Sequence, residues 1–597
     1  MIQHFEKLQT PLRCVNRYPS LQHQRQRFLD LGWDQVAASS LWDLWRDSQF
    51  LSDEERVALN DVEPFDEWEE FGLFATHYFV AVAVKTTDVE VPLEYIGPYW
   101  SNHTARLDKD EAPEALASPR NPFVLQFQEN PKGRGRRRFG AAISFANGSI
   151  GCHGGLGPQS RLNSTDVYVN GITDNAVFPT PPVSVAARMG HTVTLLNGFN
   201  SLLVGGRTSP GNALADCWLQ HRQSWEQVHD LPSPRYRHCA TGLFSINPAV
   251  LVSGGKTSEG VVPTDYVLWR ADSGWQEVHV IGVAPKPRFG ASMSTVGDNS
   301  GILLGGMSEG GIVLSDIWHW SVNLDVGNVT ISFQQVKLHS TSFNGFGARF
   351  GASLNYTQLG LLLIGGIADR GLVAQESEVV IVSPGKRATP TSRDELWGAA
   401  QLERVDLVCA GPRPLLVGHS VITVNSHVLI LGGGAVCFSF GTHWNTGIWT
   451  LQGGKDLPGP EWRLFNVSEG MLPSGSMLPS TKQNENGDRS PCDLQAKAIS
   501  RVRVASRQGF EETVTKAKPV VLEGLDIGSC TRIWTTDYLR DAVGASRPVC
   551  LTSPCDGEMD KFNRDRSSYT KPLQIRWTSR QRTLHMSRSP SETSLTR

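Results

Sequence analysis

Short apolar runs that end in paired glycines punctuate the middle of the chain: SLLVGG, AVLVSGG, GILLGG, LLLIGG and VLILGG. The pairs stand at Gly154-Gly155, Gly205-Gly206, Gly254-Gly255, Gly305-Gly306, Gly365-Gly366 and Gly432-Gly433. The runs are continuous rather than alternating, which marks strands buried on both faces. Upstream of each pair sits a second shared element: RRFGAA, RMGHTV, RYRHCA, RFGASM, RFGASL and LVGHSV. Tryptophans follow several units, at Trp218 and Trp225, Trp269 and Trp275, Trp318 and Trp320, and Trp444 and Trp449. A period of roughly fifty residues predicts a radial array of small antiparallel sheets, because no such sheet buries both faces alone. The glycine pairs suit a strand exit that needs positive φ and close backbone approach. The tryptophans are expected to fill the gap that widens between blades. The last two units are spaced more widely, so they carry longer loops or hide a degenerate blade.

Ahead of the repeats the pattern turns helical. Leu21, Phe28 and Leu29 share a helix face, with Ser20 as cap and Gly32 as stop. A second helix is expected across SSLWDLWRDSQF, capped by Ser39 or Ser40, and a third at the capping box Ser52-x-x-Glu55. The stretch EPFDEWEEFGLFATHYFVAVAVKT begins acidic and amphipathic and ends in a buried β run, His77 to Val84. No strand of equal quality precedes that run to pair with it. Glu67, Glu69 and Glu70 read as an exposed helix face. Beyond the repeats, LPSGSMLPSTKQNENGDRSP is linker-like. Order returns at KPVVLEGLDIGSCTRIWTTDYLRDAVGASRPVCLTS as strand, helix, strand. The terminal stretch from Arg564 is basic, rich in Ser and Thr, and expected to be disordered.

Composition narrows the picture only a little. A chain of 597 residues should hold three or four units. With 40% hydrophobic and 19% charged residues it is ordinary globular protein, and a net charge of −3 demands no polyanionic partner. Its first residues lack the pattern of a secretory signal, and no run reaches the ~18 apolar residues of a membrane span. The ten cysteines form no CxxC pair, so a reducing, cytoplasmic setting is expected and no membrane. The local exception in charge is KGRGRRRFG, Lys132 to Gly140. Arg134, Arg136 and Arg137 are its candidate contacts to RNA phosphates, against the plainer reading of a solvated loop. His191, His238 and His419 recur at one repeat position, which points to a shared turn role and to no metal site.

The repeats resemble kelch repeats, and imply an all-β propeller of about six blades. The segments YPSLQHQRQRFLDLGW and ERVALNDVEPFDEWEEFGLFATHYFVAVA resemble the C-terminal part of the leucine carboxyl methyltransferase family. Joined to kelch repeats, that resemblance implies a place in wybutosine synthesis. The cofactor would be S-adenosylmethionine, and the substrate phenylalanine tRNA carrying a wybutosine precursor, methylated and methoxycarbonylated beside the anticodon. Tyr18 and Arg27 are the candidate substrate contacts in this segment. Residues 1–90 hold only Gly32 and Gly72, neither after a strand, so the glycine-rich turn of a Rossmann-like methyltransferase is not among them. No cofactor-binding or catalytic residue is therefore assigned, and the chain is expected to begin inside its first domain. The stretch from Lys516 resembles the entry to Jumonji C-type cupins. After Cys530 the only histidine is His585, too few for an iron triad.

The expected division is a methyltransferase remnant of α/β Rossmann-like type at 1–90, a linker at 91–130 and the propeller at 131–452. A second linker at 453–515, an incomplete cupin start at 516–560 and a basic tail at 561–597 follow. The alternative is a non-catalytic adaptor whose propeller binds a protein partner.

Overall fold

The computed structural model describes residues 11–85 apart from 63–64, most of 123–468 between short interruptions, and segments within 500–523 and 574–595, with a few isolated positions besides. It divides into two units, Met1–Met477 and Leu478–Arg597.

The first unit opens with helix α1 (Leu21–Leu29), strand β1 (Gln35–Ser40), helices α2 (Leu41–Arg46), α3 (Asp53–Val62) and α4 (Trp68–Ala75), and strand β2 (Phe79–Val84). Local chemistry sets their ends. Ser20 accepts the His23 amide to cap α1, and Gly32 leaves it with φ of +80°. Ser40 accepts the Asp43 amide at 3.0 Å to start α2. At α3 the capping box closes both ways: the Glu55 amide donates to Ser52 Oγ at 3.2 Å, and the Ser52 amide to Glu55 Oε2 at 2.8 Å.

The terminal β run does have a partner. β2 pairs antiparallel with β1 along its whole length, from Gln35 opposite Val84 to Ser40 opposite Phe79. β1 was hidden because QVAASS holds a single strong strand former, Val36, among alanines and polar residues of weaker strand propensity. Those small side chains let it sink: Val36 to Ser40 are all buried. β2, expected to be the buried strand, is the more exposed of the two, with Phe79 and Val80 open to solvent.

Six sheets follow in a ring. Their innermost strands are Ala141–Ser144, Thr192–Leu195, Cys239–Leu243, Ser292–Thr295, Ser353–Thr357 and His419–Val424, each against the next and the sixth against the first. The apolar runs are the second strands, and that of blade three, Ala249–Ser253, is buried at every position. Trp269, Trp320 and Trp449 are fully buried among strands of neighbouring blades. The last two units carry extra short strand pairs, such as Gly434–Cys437 with Gly441–Trp444, and the described residues form no further blade.

Two strands assigned by sequence to the linkers belong to the propeller. β3 (Phe123–Glu129) is antiparallel to Gly447–Gly453 in blade six. Trp462–Ser468 is the outermost strand of blade one, on Thr165–Asn170. Blades one and six therefore take each other's flanking chain, and the ring is locked across its seam twice.

One device is repeated around the ring. Each diglycine is left-handed at both residues, as at Gly254 (φ +63°) and Gly255 (φ +94°). A Cβ on Gly254 would lie 2.2 Å from the Arg288 carbonyl oxygen, so no other residue fits. The first glycine's carbonyl accepts from the repeat arginine, which in blades one to four also holds an aspartate at the start of the third strand. Arg188 donates to Gly205 O at 3.0 Å and to Asp216 at 2.8 and 2.5 Å. Arg288 does the same with Gly305 O at 2.9 Å and Asp316 at 2.8 and 2.7 Å. Arg137 is this residue in blade one: it is 3% exposed and donates to Asp166 at 2.5 Å and Gly154 O at 2.8 Å. It is thus removed from the exposed basic run and cannot reach a phosphate. In blade six Asn445 takes over, donating to Gly432 O at 2.7 Å.

In the second unit, Ser500–Arg503 and Val520–Glu523 pair in parallel around the helix Arg507–Thr515. That crossover begins inside the stretch read as linker. The tail, expected to be disordered, carries a three-stranded antiparallel meander, Gln574–Trp577, Leu584–Arg588 and Ser591–Leu595. No helix among the described residues is long and apolar enough to cross a membrane.

Candidate functional site

The strands enter the ring at one end, and the diglycines return the chain to the same end. The residue two places after the repeat arginine turns left-handed there. Four blades use glycine: Gly190, Gly290, Gly351 and Gly418, with φ between +60° and +67°. Blades one and three use Phe139 (φ +58°) and Arg237 (φ +54°). A left-handed non-glycine residue costs on the order of 1–2 kcal/mol. The cost is met where the two side chains meet each other: the Arg237 guanidinium carbon lies 4.9 Å from the Phe139 ring centre and 5.2 Å from that of Phe350.

Helix α4 sits on this end of the ring with its acidic face inward. Arg237 clasps Glu69 through both oxygens, at 2.6 and 2.8 Å, and its Nε lies 2.9 Å from Asp66 Oδ1. Arg207 pairs with the other Asp66 oxygen and stacks at 4.8 Å on Tyr236. Arg138 pairs with Glu70. Lys256, fully buried, donates to the Phe65 carbonyl at 3.3 Å. Glu69 and Glu70, read by sequence as an exposed face, are 1% and 3% exposed. Burial pushes the Glu70 carboxyl up to about 7; Arg138 pulls it down, and Glu69 beside it pushes the same way as burial. Burial opposes the charge of Arg237, but Asp66 and Glu69 outweigh it and hold the guanidinium more firmly protonated than usual. Burial lowers Lys256, with Asp66 opposing.

Apolar contacts complete the seat. Trp68 packs with Phe289 and covers Gly311, where a Cβ would lie 2.2 Å from its ring. Trp42 donates to Asp369 O at 2.8 Å and Trp45 to Gly311 O at 3.0 Å, while Arg46 pairs with Asp369 at 2.6 Å. One buried cluster holds Trp42, Trp68 and Ala75 together with Phe289, Phe350 and Ile367. The N-terminal module and the propeller thus share a core, and charge matching fixes the register of α4 on it. The sequence carried one trace of this site. Phe139 and Arg237 break a glycine position kept in the other four blades.

The candidates chosen from sequence lie elsewhere. Tyr18 is half-buried ahead of α1, and the Arg27 guanidinium lies 5.4 Å from its ring centre, so these two are brought together. Arg134 and Arg136 are exposed on the loop into blade one. The recurring histidines are buried at the strand entries. His238 Nε2 lies 2.9 Å from Thr192 Oγ1, and the ring centres of His153 and His191 are 5.7 Å apart. Burial drives His153 and His238 down to about 3 and His419 to about 4, and puts His191 well below its ordinary value, so all four are neutral. The described residues contain no group of three or more histidine, cysteine or acidic side chains fit to hold a metal.

A family model described as tRNA wybutosine-synthesizing protein 4, beta-propeller, matches residues 185–447. Among curated relatives, a tRNA wybutosine-synthesizing protein 4 from Aspergillus fumigatus is 40% identical over 92% of this chain and 52% of its own length. That of Aspergillus oryzae is 36% identical over 96% of this chain and 55% of its own. That of Saccharomyces cerevisiae is 27% identical over 75% and 60%. The chain spans about half the length of the first two.

Proposed function

From the premise that the chain belongs to the tRNA wybutosine-synthesizing protein 4 family, we propose that it serves S-adenosylmethionine-dependent methylation and methoxycarbonylation of the wybutosine precursor. The substrate is phenylalanine tRNA, modified at the guanosine beside the anticodon, in the cytoplasm. The N-terminal module is the C-terminal part of a leucine carboxyl methyltransferase-like domain, and the propeller is of kelch type. The region from 516 is the start of a Jumonji C-like cupin.

The observation that carries the reading is the seat of α4. Its buried clasp of Asp66, Glu69 and Glu70 on Arg207, Arg237 and Arg138 fixes the module on the ring. A tRNA gripped by the propeller is then held in constant register with whatever reactive centre the module supports, which is how positioning accelerates transfer. In this scheme Arg134 and Arg136 contact phosphates, and Tyr18 with Arg27 contacts the substrate.

The buried carboxylates of the module are not free for the cofactor. Such a site needs an acidic residue for the ribose. Asp66, Glu69 and Glu70 are committed to arginines, and Asp43 to Ser40 and Arg46. S-adenosylmethionine supplies the methyl group by family.

The test is transfer of labelled methyl from S-adenosylmethionine to phenylalanine tRNA that carries the precursor, with calorimetry of cofactor and tRNA binding beside it. Label in the modified guanosine supports the reading. A chain that binds neither cofactor nor tRNA and transfers no label refutes it.

A further inference from the structure

The end of the ring opposite α4 carries the turns between first and second strands. Between blades four and five a cavity of about 300 Å³ opens there, lined by Gly297, Ser300, Tyr356, Ile381, Ser383 and Trp397 among others. That volume sits at the lower bound of small-molecule sites. No charged side chain lines it. Its apolar walls are Ile381 and the buried Trp397, and the hydroxyl-bearing Ser300 and Ser383 stand among them.

Tyr356 is 58% exposed, an unusual place for a large ring in a blade. Its mounting is stiff. It pairs with Leu361 across a two-residue hairpin, Gln358-Leu359, closed by Thr357 opposite Gly360. Thr357 Oγ1 accepts the Leu359 amide at 3.0 Å and donates to Gly360 O at 2.9 Å. A rigid exposed ring beside a small neutral slot matches a flat, uncharged aromatic guest. It does not match a phosphate, which would need cations, or a peptide helix, which would need a longer groove.

We propose that the slot between blades four and five takes one unstacked base of the RNA, stacked on Tyr356. This rests on the tRNA reading above and gives the propeller a base contact distinct from any phosphate contact. Single-stranded nucleobases are commonly held in this way, on aromatic faces.

The experiment uses the full chain with two probes, a short single-stranded RNA bearing 2-aminopurine and phenylalanine tRNA. Native chain should change the 2-aminopurine emission on binding. Tyr356→Ala should weaken both probes roughly ten-fold or more, the worth of one base–aromatic stack, with the salt slope unchanged. Tyr356→Phe should bind as the native chain does, and Ser383→Phe, which fills the slot while leaving the ring, should bind weakly. If Tyr356→Ala binds tRNA as tightly as native, the slot proposal falls and the tRNA reading stands. If the native chain binds neither RNA, both fall.

Discussion

Acid should open the propeller through its buried histidines, and His238→Gln isolates the effect. His238 is neutral in the fold at any pH above about 3, because burial and Arg235 oppose its charge. In the unfolded chain it protonates near 6.5. The folded pKa is the depressed one, so stability is intact above 6.5 and is lost as pH falls below it. At pH 5 the loss is about 1.36 × 1.5, or roughly 2 kcal/mol, for this one residue. His153 and His419 add similar amounts, since burial holds each far below its ordinary value, and burial drives His191 in the same direction. The three groups His153, His238 and His419 give roughly 6 kcal/mol between pH 7 and 5, comparable to the whole stability of a typical domain. Glu70 works the other way over the same range and offsets part of it. Glutamine at 238 can keep the hydrogen bond to Thr192 and cannot titrate. Urea unfolding followed by tryptophan emission at pH 7, 6 and 5 gives the comparison. Whatever the variant costs at pH 7, it should cost about 2 kcal/mol less at pH 5. Parallel pH curves for native and variant would refute the argument.

Other outcomes follow from the seat of α4 and the loop into blade one. Glu69→Ala and Arg237→Ala should each destabilise by roughly 3–5 kcal/mol, because each strands a buried charge, and the double variant should cost clearly less than their sum; strict additivity in urea unfolding would show that the clasp is not one unit. Glu70 has its folded pKa raised, so its contribution is full below about 4.5 and is lost as pH rises towards about 7. Against Glu70→Gln, the native chain should gain roughly 2 kcal/mol between pH 7 and 5, and no relative gain in thermal unfolding would contradict this. Arg134→Ala with Arg136→Ala should flatten the log–log salt dependence of tRNA binding by about 0.7–0.9 per lost phosphate contact. Arg137→Ala should instead lower stability and leave that slope alone; the reverse pattern would put Arg137 on the RNA.

The ring was legible because its signals are local and repeated. A left-handed glycine pair recurs six times, and a continuous apolar run and an arginine at fixed offset five times each, and each reports a backbone need. What stayed hidden is what depends on distant chain. β1 gave no sign because its burial comes from packing under α1 and beside β2, not from its own propensities. Glu69 and Glu70 looked solvated because a helix face of acids is normally exposed, and the arginines that bury them lie some 70 and 170 positions further on. The two closing strands looked like linker because their pairing partners are separated from them by nearly the whole ring. Arg137 was misplaced for the opposite reason. It stands in a basic run, and only its alignment with Arg188 and Arg288 reveals its internal role.

The exchange of outer strands between blades one and six has a consequence for the order of events at the ribosome. The third strand of blade one ends at Asn170, and the strand that covers it begins at Trp462. At about 5–20 residues per second, roughly 15–60 s of synthesis separate them. For that interval Thr165–Asn170 is a bare edge of the kind that recruits foreign strands. β3 waits somewhat longer still for Gly447–Gly453. Neither end of the ring can finish before the other, so the nascent chain has to be sheltered until its last blade is made, and completion is a single late event.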